Sequence, residues 1–350
     1  MPNTSAKSGA AESAAISAID NLLADVGLQH GRRRLLSAGW EPQPKHPRQL
    51  PSRTRRPGKV AKTRLDLVQL PEMAKIGWLL HGFSTRTGGT SRVYRPDQRA
   101  GELNLGFSAS DPKSVVEANR ARFLDHVTGN AQFPLVTLRQ IHSQIIRLVG
   151  PDDATPTALH RADGMMTGEP GLLLGIQTAD CIPVLVADTR NRAVAAFHAG
   201  WRGTLKRIVE AGMGRMRLEF GSRPENLVAA IGPGIGQCCY AVGDEVRSEF
   251  ESQFSYAADL FCEVYDSDPI REKYPLLFLT ARAPGHSNTG PSLHLDLVEA
   301  NRRQLLDAGL RPTAISVVGE CTSCANDRYF SYRAESGFTG RMLSVIGVRS

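Results

Sequence analysis

The chain has 350 residues, of which 41% are hydrophobic and 22% charged. That is the balance of a soluble globular protein, and no run approaches the roughly 18 uninterrupted apolar residues that a membrane helix needs. The net charge of +7 suggests nucleic acid, but residues 1–64 hold 12 Lys/Arg against 4 Asp/Glu, whereas the rest holds 30 against 31. The basicity therefore belongs to the N-terminal segment, whose attraction for acidic partners would be unspecific, and no specific nucleic-acid or membrane partner is expected.

The first residues lack a positive start followed by a short apolar run, so no secretory leader is read there and the cytoplasm is the expected location. The six cysteines, at 181, 238, 239, 262, 321 and 324, are then expected as reduced thiols or metal ligands, not as a disulfide framework.

Taken in chain order, Ile16, Ile19, Leu22, Leu23 and Val26 are spaced for one helical face, and the Pro- and Arg-rich stretch that follows has no sustained period. Residues 1–64 read as a disordered basic extension with one short helix, and 65–350 as a single folded domain. Within that domain "IGWLLHGFSTRTGGTS" suggests a strand entering a glycine-rich turn. "DPKSVVEANRARFLDHV" suggests a helix capped by Asp111. "PLVTLRQIHSQIIRLV" is expected as one strand, and "LLLGIQTADCIPVLVAD" and "AVAAFHAGWRG" as two buried strands joined by "DTRNR". "GTLKRIVEAGMGRMRLEF" reads as one amphipathic helix, and "LVAAIGPGIGQCCYAVGDEV" as strand, glycine turn and helix start. "HLDLVEANRRQLLDAGL" is a further helix, with "AISVVGECT" and "GRMLSVIGVR" as closing strands. The expected fold class is α/β (α+β): mixed β-sheets layered with helices.

Three side chains stand out chemically: His142 in "RQIHSQ", Cys181 in "TADC" and His198 in "FHAGWRG". Imidazole and thiolate are the donors zinc prefers, and three protein ligands with one open position make a catalytic site. The same residues also read as a Cys–His nucleophilic pair with Asp180 or Asp163 orienting the imidazole, or as ordinary structural residues. A metal uses all three and is the preferred reading. Beside them, Asp180 is a candidate proton carrier or turn cap, Trp201 a stacking surface, and Arg202 a grip for phosphate or carboxylate. Arg86, among hydroxyls and glycines in "GFSTRTGG", is a candidate anion-binding residue. Tyr332, Arg333 and Arg341 near the chain end are candidates to close the pocket.

"IGPGIGQCCY" matches neither a P-loop nor a dinucleotide fingerprint. Cys321 and Cys324 in "CTSC" suit half a structural zinc site or a redox pair, but no second CxxC completes a four-cysteine set. No histidine is followed two residues later by Glu, which excludes the HxE/PCxxC nucleobase deaminase scaffold.

The ordered set "HGFSTRTGGTS", "LNLGFS", "RQIHS", "ADGMMT", "QTADCIPVLVAD", "VAAFHAGWRGT", "IGPGIGQCCYAVGDEV", "CTSCANDRYFSYR" and "TGRMLSVIGV" resembles the YfiH-type proteins. These were long labelled polyphenol oxidoreductases or laccase-like and later understood as purine nucleoside phosphorylases. The resemblance spans residues 76–348. It implies a layered mixed α/β body in which His142, Cys181 and His198 are the metal ligands, for zinc or else copper. It also implies phosphorolysis of adenosine, inosine and methylthioadenosine, with adenosine deamination as a second activity. Its partners are then purine nucleosides and phosphate; copper-dependent phenol oxidation and cysteine hydrolysis are the alternatives. Two departures from the family pattern are Ala334, where a second arginine is usual, and Gly234, where relatives often carry Ala or Cys.

Overall fold

The computed structural model describes residues 65–95, 100–155, 158, 160–264 and 291–350. The helix and linker expected within 1–64 lie outside the described residues. Among the described residues fifteen strands run in chain order as β1 (Leu67–Val68), β2 (Leu79–Ser84), β3 (Thr87–Ser91), β4 (Leu135–Thr137), β5 (Ile146–Leu148), β6 (Gly164–Thr167), β7 (Leu172–Thr178) and β8 (Ile182–Asp188). They continue as β9 (Ala193–Ala199), β10 (Leu227–Ile231), β11 (Ala241–Val242), β12 (Phe261–Val264), β13 (Ser292–Leu295), β14 (Ile315–Val317) and β15 (Met342–Val348). The helices are α1 (Pro71–Ala74), α2 (Lys113–Thr128), α3 (Trp201–Leu205), α4 (Ile208–Phe220), α5 (Asp244–Gln253) and α6 (Leu297–Asp307).

A five-stranded sheet in the order β1-β2-β15-β7-β4 faces a six-stranded sheet in the order β14-β10-β8-β9-β6-β5, with a small β11-β13-β12 sheet beside them. Both large sheets are mixed: β8 pairs antiparallel with β9 and β10, while β4–β7, β5–β6 and β10–β14 run parallel. The interior between the sheets is filled by Leu174, Ile176 and Ile346 from one side and Leu185, Val194 and Ala196 from the other. The outer face of the five-stranded sheet packs Leu173 and Val345 on Phe123 and Leu124 of α2. The outer face of the six-stranded sheet packs Val184, Val186 and Phe197 on α4, α5 and α6. The result is a four-layer helix–sheet–sheet–helix body, the mixed layered class expected. It also explains why β8, β9 and β15 are apolar without alternation: both of their faces are covered.

The expected segments differ from the observed ones in an instructive way. "PLVTLRQIHSQIIRLV" is not one strand but β4 and β5, which lie in different sheets. "LLLGIQTADCIPVLVAD" likewise splits into β7 and β8, again one in each sheet. Each break is a passage between layers, and each carries a left-handed non-glycine residue: His142 at φ 57° and Asp180 at φ 91°. The single helix expected after His198 is also two, α3 and α4, separated by Arg207 at φ 58°. Asp111 is not a helix cap: Pro112 occupies that position, and Asp111 is buried, accepting from Ser91 Oγ at 2.6 Å and Asn104 Nδ2 at 2.8 Å.

Candidate metal centre and active site

The β8–β9 hairpin sets the first two donors. Its register pairs Ile182 with Ala199 and Pro183 with His198, so Cys181 leaves the end of β8 opposite Gly200, next to His198. Gly200 is needed for its size. A Cβ there would stand 2.9 Å from Cys181 Sγ and 3.1 Å from His142 Cδ2, so any larger residue would push the donors apart. His142 arrives from the β4–β5 crossing, with its Nε2 3.9 Å from Cys181 Sγ and its ring edge-on to His198 at a centroid distance of 4.9 Å.

Asp163, immediately before β6 and 0% exposed, organises all of this. Its carboxylate accepts the backbone N–H groups of Ile141, His142 and Ser143 (shortest 2.6 Å) and the Ser143 hydroxyl at 2.7 Å. It also accepts His198 Nδ1–H at 2.8 Å. One carboxylate thus fixes the loop that carries His142 in its left-handed turn and fixes the tautomer of His198, leaving Nε2 free to act as a donor. Burial opposes ionisation of Asp163, but the hydrogen bonds from His198 and Ser143 outweigh it and hold the carboxyl at about 2.

Donor atoms of His142, Cys181 and His198 all lie within 4.8 Å of one another. Tetrahedral zinc, with Zn–N and Zn–S bonds of about 2.0–2.3 Å, places neighbouring N and S donors roughly 3.6 Å apart. The observed spacing is close to that, and a carboxylate behind a ligating histidine is the usual supporting arrangement. The donor set therefore fits a metal with three protein ligands and a fourth position toward the cavity. Without a metal, the trio is an ion pair. Burial works against the Cys181 thiolate, but the His198 charge and hydrogen bonds from both histidines bring the thiol down to about 6. Burial likewise opposes the His198 cation, and the Cys181 thiolate and Asp163 raise it to about 9. In chelator-treated protein, alkylation of Cys181 by iodoacetamide, followed by peptide mass spectrometry, should reach half its maximal rate near pH 6 instead of near 8.5. Added zinc should suppress it. A midpoint above pH 8 would contradict this geometry.

The trio opens on a cavity of about 710 Å³ lined by Trp201, Arg202, Tyr240, Tyr332, Arg333 and Arg341, among others. The Arg202 guanidinium stacks on Trp201 at 4.4 Å and makes no side-chain hydrogen bond or ion pair within the described residues. The Arg333 guanidinium donates to the Cys239 and Ala241 carbonyls. Burial first, and then the Cys181 charge, push the Tyr240 phenol well above its usual range, so it remains a neutral donor. Sequence reasoning did not find Tyr240, Phe107 or Gln177; only Tyr240, in "CCYAV", carried a signal, its place after the glycine turn.

Two candidates have other surroundings than the sequence suggested. Asp180 lines the cavity, but its oxygens accept Thr322 Oγ1–H and the Arg333 N–H, both at 2.7 Å, and its carbonyl accepts Ile235 N–H at 2.8 Å. It is a clamp across three segments, not a freely placed proton carrier. The structure does not bring Arg86 to the cavity at all. Arg86 is 1% exposed and pairs with Glu102 at 2.6 Å and Glu335 at 2.9 Å, donates to the Asn326 and Tyr329 carbonyls, and stacks over Phe330. A guanidinium so occupied cannot take up an anion. Arg86→Met should lower stability by about 3–5 kcal/mol in chemical denaturation, because Glu102 is left buried without its cation, while metal content per folded chain stays unchanged. A loss below about 1 kcal/mol would contradict this.

Of the two departures in the sequence, Gly234 has a structural reason. A Cβ there would lie 2.3 Å from Ile182 Cδ1 and 3.0 Å from the Asp180 carbonyl, so in this chain Ile182 fills the space. Ala334 is exposed.

Fold and site together define a mixed α/β protein with a three-donor nitrogen–sulfur centre at the crossings between two sheets. The chain belongs to the family described as multi-copper polyphenol oxidoreductase laccase, whose model matches residues 80–349, and within it to the YfiH type. It is 36% identical over 285 residues to the purine nucleoside phosphorylase of Deinococcus radiodurans, covering 81% of this chain and 93% of the relative. It is 33% identical to the purine nucleoside phosphorylase YlmD of Geobacillus stearothermophilus, covering 77% and 89%. Among solved structures it is similar to the hypothetical protein YfiH of Bacillus licheniformis, at 30% identity and a TM-score of 0.67, covering 83% and 100%. Among the described residues no helix is long and apolar enough to cross a membrane.

Proposed function

We propose that this chain is a metal-dependent purine nucleoside phosphorylase that converts adenosine, inosine and methylthioadenosine, with phosphate, to free base and the pentose 1-phosphate. The observation that carries the reading is the convergence of His142, Cys181 and His198 on one wall of a cavity whose other walls supply cations and aromatic rings. The names of its relatives supply the substrate class. A volume of about 710 Å³ lies in the range of sites that enclose a small organic ligand.

In phosphorolysis a phosphate oxygen forms a bond to C1′ as the C1′–N9 bond breaks. The bonding pair leaves with the purine, which takes up a proton, while the sugar passes through an oxocarbenium-like state. Arg202, whose guanidinium has no hydrogen-bond or ion-pair partner among the described residues, binds the attacking phosphate, and Arg333 adds positive charge beside it. Trp201 holds the Arg202 plane in place, Tyr332 provides a face for the purine, and Tyr240 donates to a substrate oxygen. Asp180 keeps Arg333 and the Thr322 segment in register with Cys181. Zinc held by His142, Cys181 and His198 would supply Lewis acidity toward a substrate oxygen. The same chemistry would serve adenosine deamination, in which water replaces the 6-amino group.

The family description favours a second reading, copper-dependent oxidation of phenols. Clustered copper centres need many imidazoles, but His81, His160 and His294 are engaged elsewhere, with Leu70, Asp153 and Ser292. Purified protein incubated with adenosine, inosine or methylthioadenosine, with and without phosphate and under nitrogen, separates the two. Base release without oxygen supports phosphorolysis. Turnover of phenols with oxygen uptake, and none of nucleosides, would replace it with the oxidase reading.

A further inference from the structure

The structure assigns a second metal site: Cys238, Cys239, Cys321 and Cys324 bind zinc as a closed four-thiolate centre that staples the glycine loop to the C-terminal wall of the cavity. The sulfurs of these four residues all lie within 4.8 Å of one another. Cys324 Sγ is 3.5 Å from Cys238 Sγ and 3.4 Å from Cys239 Sγ. All four are free thiols, and these separations are far beyond the ~2.05 Å of a disulfide. Tetrahedral zinc, with Zn–S bonds of about 2.3 Å, sets its sulfurs about 3.8 Å apart, close to the 3.5 and 3.4 Å at Cys324 and within the 4.8 Å span of the set.

Two local turns present the ligands. Cys239 N–H donates to the Gly236 carbonyl at 3.0 Å, turning Cys238 and Cys239 to the same side. Ala325 N–H donates to the Cys321 carbonyl at 3.0 Å, closing the Cys321–Cys324 turn. The turns are joined by a parallel bridge between Gly234 and Cys321 and by Thr322 N–H to the Gly234 carbonyl at 2.9 Å. Gly236 N–H points at Cys321 Sγ from 3.2 Å, the amide-to-sulfur support that coordinated thiolates receive. From the sequence, "CTSC" suits half a structural zinc site or a redox pair with no second CxxC to complete it; its partner is the adjacent pair "CC", supplied by a segment about 85 residues away.

Four protein ligands leave no open position, so this centre is structural where the His142–Cys181–His198 trio is not. Its place gives it a task. Thr322, between two of the ligands, donates to Asp180 beside Cys181, and Tyr240, next to Cys239, lines the cavity. Zinc here ties both contacts to one point and holds the cavity wall against the end of β8. The assignment rests on the cysteine geometry and not on the proposed reaction.

Metal content of the purified full chain by plasma mass spectrometry, on wild type and on the double variant Cys238→Ser/Cys324→Ser, tests it. The double variant should contain one zinc equivalent per chain fewer than wild type. In Cys181→Ala protein loaded with cobalt(II), the intense sulfur-to-metal absorption of a tetrathiolate centre should persist. Should the double variant not fold, a mercurial titration of the Cys181→Ala protein in the presence of a zinc indicator serves instead, and one equivalent should be released as these four thiols are modified. Equal zinc in wild type and double variant, modification of the four thiols without zinc release, disulfides among them in the native protein, or copper in place of zinc would each overturn the assignment.

Discussion

Cys181→Ala is expected to abolish the proposed phosphorolysis, with kcat/KM falling on the order of 10³-fold or more, while the chain still folds cooperatively. Cys181 is the donor shared by the pair of histidines, within 3.9 Å of His142 Nε2, and without it two imidazoles must hold the metal alone. Yet the thiol supports no core cluster, and Gly200 opposite adapts to a smaller neighbour at little cost. The measurement is steady-state kinetics beside metal analysis. Wild-type turnover in the variant would remove the metal from the reaction. A cysteine nucleophile would also be lost on substitution, but its activity would survive chelation of the wild type, whereas chelation should inactivate this protein and zinc restore it.

Asp163→Asn is expected to be more damaging to the molecule as a whole. An amide in this pocket turns its NH₂ toward a ring of N–H donors and withdraws the charge that supports the His198 cation in the metal-free protein, so stability should fall by about 3–5 kcal/mol. Metal affinity should fall at least 10–100-fold, because the His142 loop and the His198 tautomer both lose their anchor. The pH profile identifies the cause. The Asp163 carboxyl is held at about 2, below its ordinary 3.8, so its stabilisation is fully present above pH 4 and is lost as pH falls toward 2. A shift of that size corresponds to roughly 2–3 kcal/mol. Chelator-treated wild type should show this acid limb in its unfolding free energy, and the Asn variant should lack it. Identical acid limbs in the two proteins would contradict the role given to Asp163.

The layered class of the fold was legible in the chain because β8, β9 and β15 are apolar over most of their length without alternation, as strands covered on both faces are. What the chain concealed is where strands break. The "TADC" and "RQIHSQ" stretches look continuous with their flanks because nothing in hydrophobic pattern marks a passage from one sheet to the next. The only local cost of that passage is the left-handed backbone of His142 and Asp180, which neither residue type announces. For the same reason the donors were readable by type while Asp163, which positions two of them, entered only as one candidate orienter. Arg86 misled because a glycine-rich turn is visible in sequence, while Glu102 and Glu335, 16 and 249 positions away, are brought to it only by the fold. The four cysteines behind the cavity were hidden in the same manner, two in each of two distant segments.

The His142–Cys181–His198 cavity is proposed to transfer a pentose from a purine to phosphate. The most direct measurement is the initial rate of adenine release from adenosine by zinc-loaded protein as phosphate is varied, with the sugar product identified by phosphorus NMR. The rate should saturate with phosphate, and one ribose 1-phosphate should form for each adenine released. Adenine release independent of phosphate with free ribose as the product, or no release from any purine nucleoside, would contradict it.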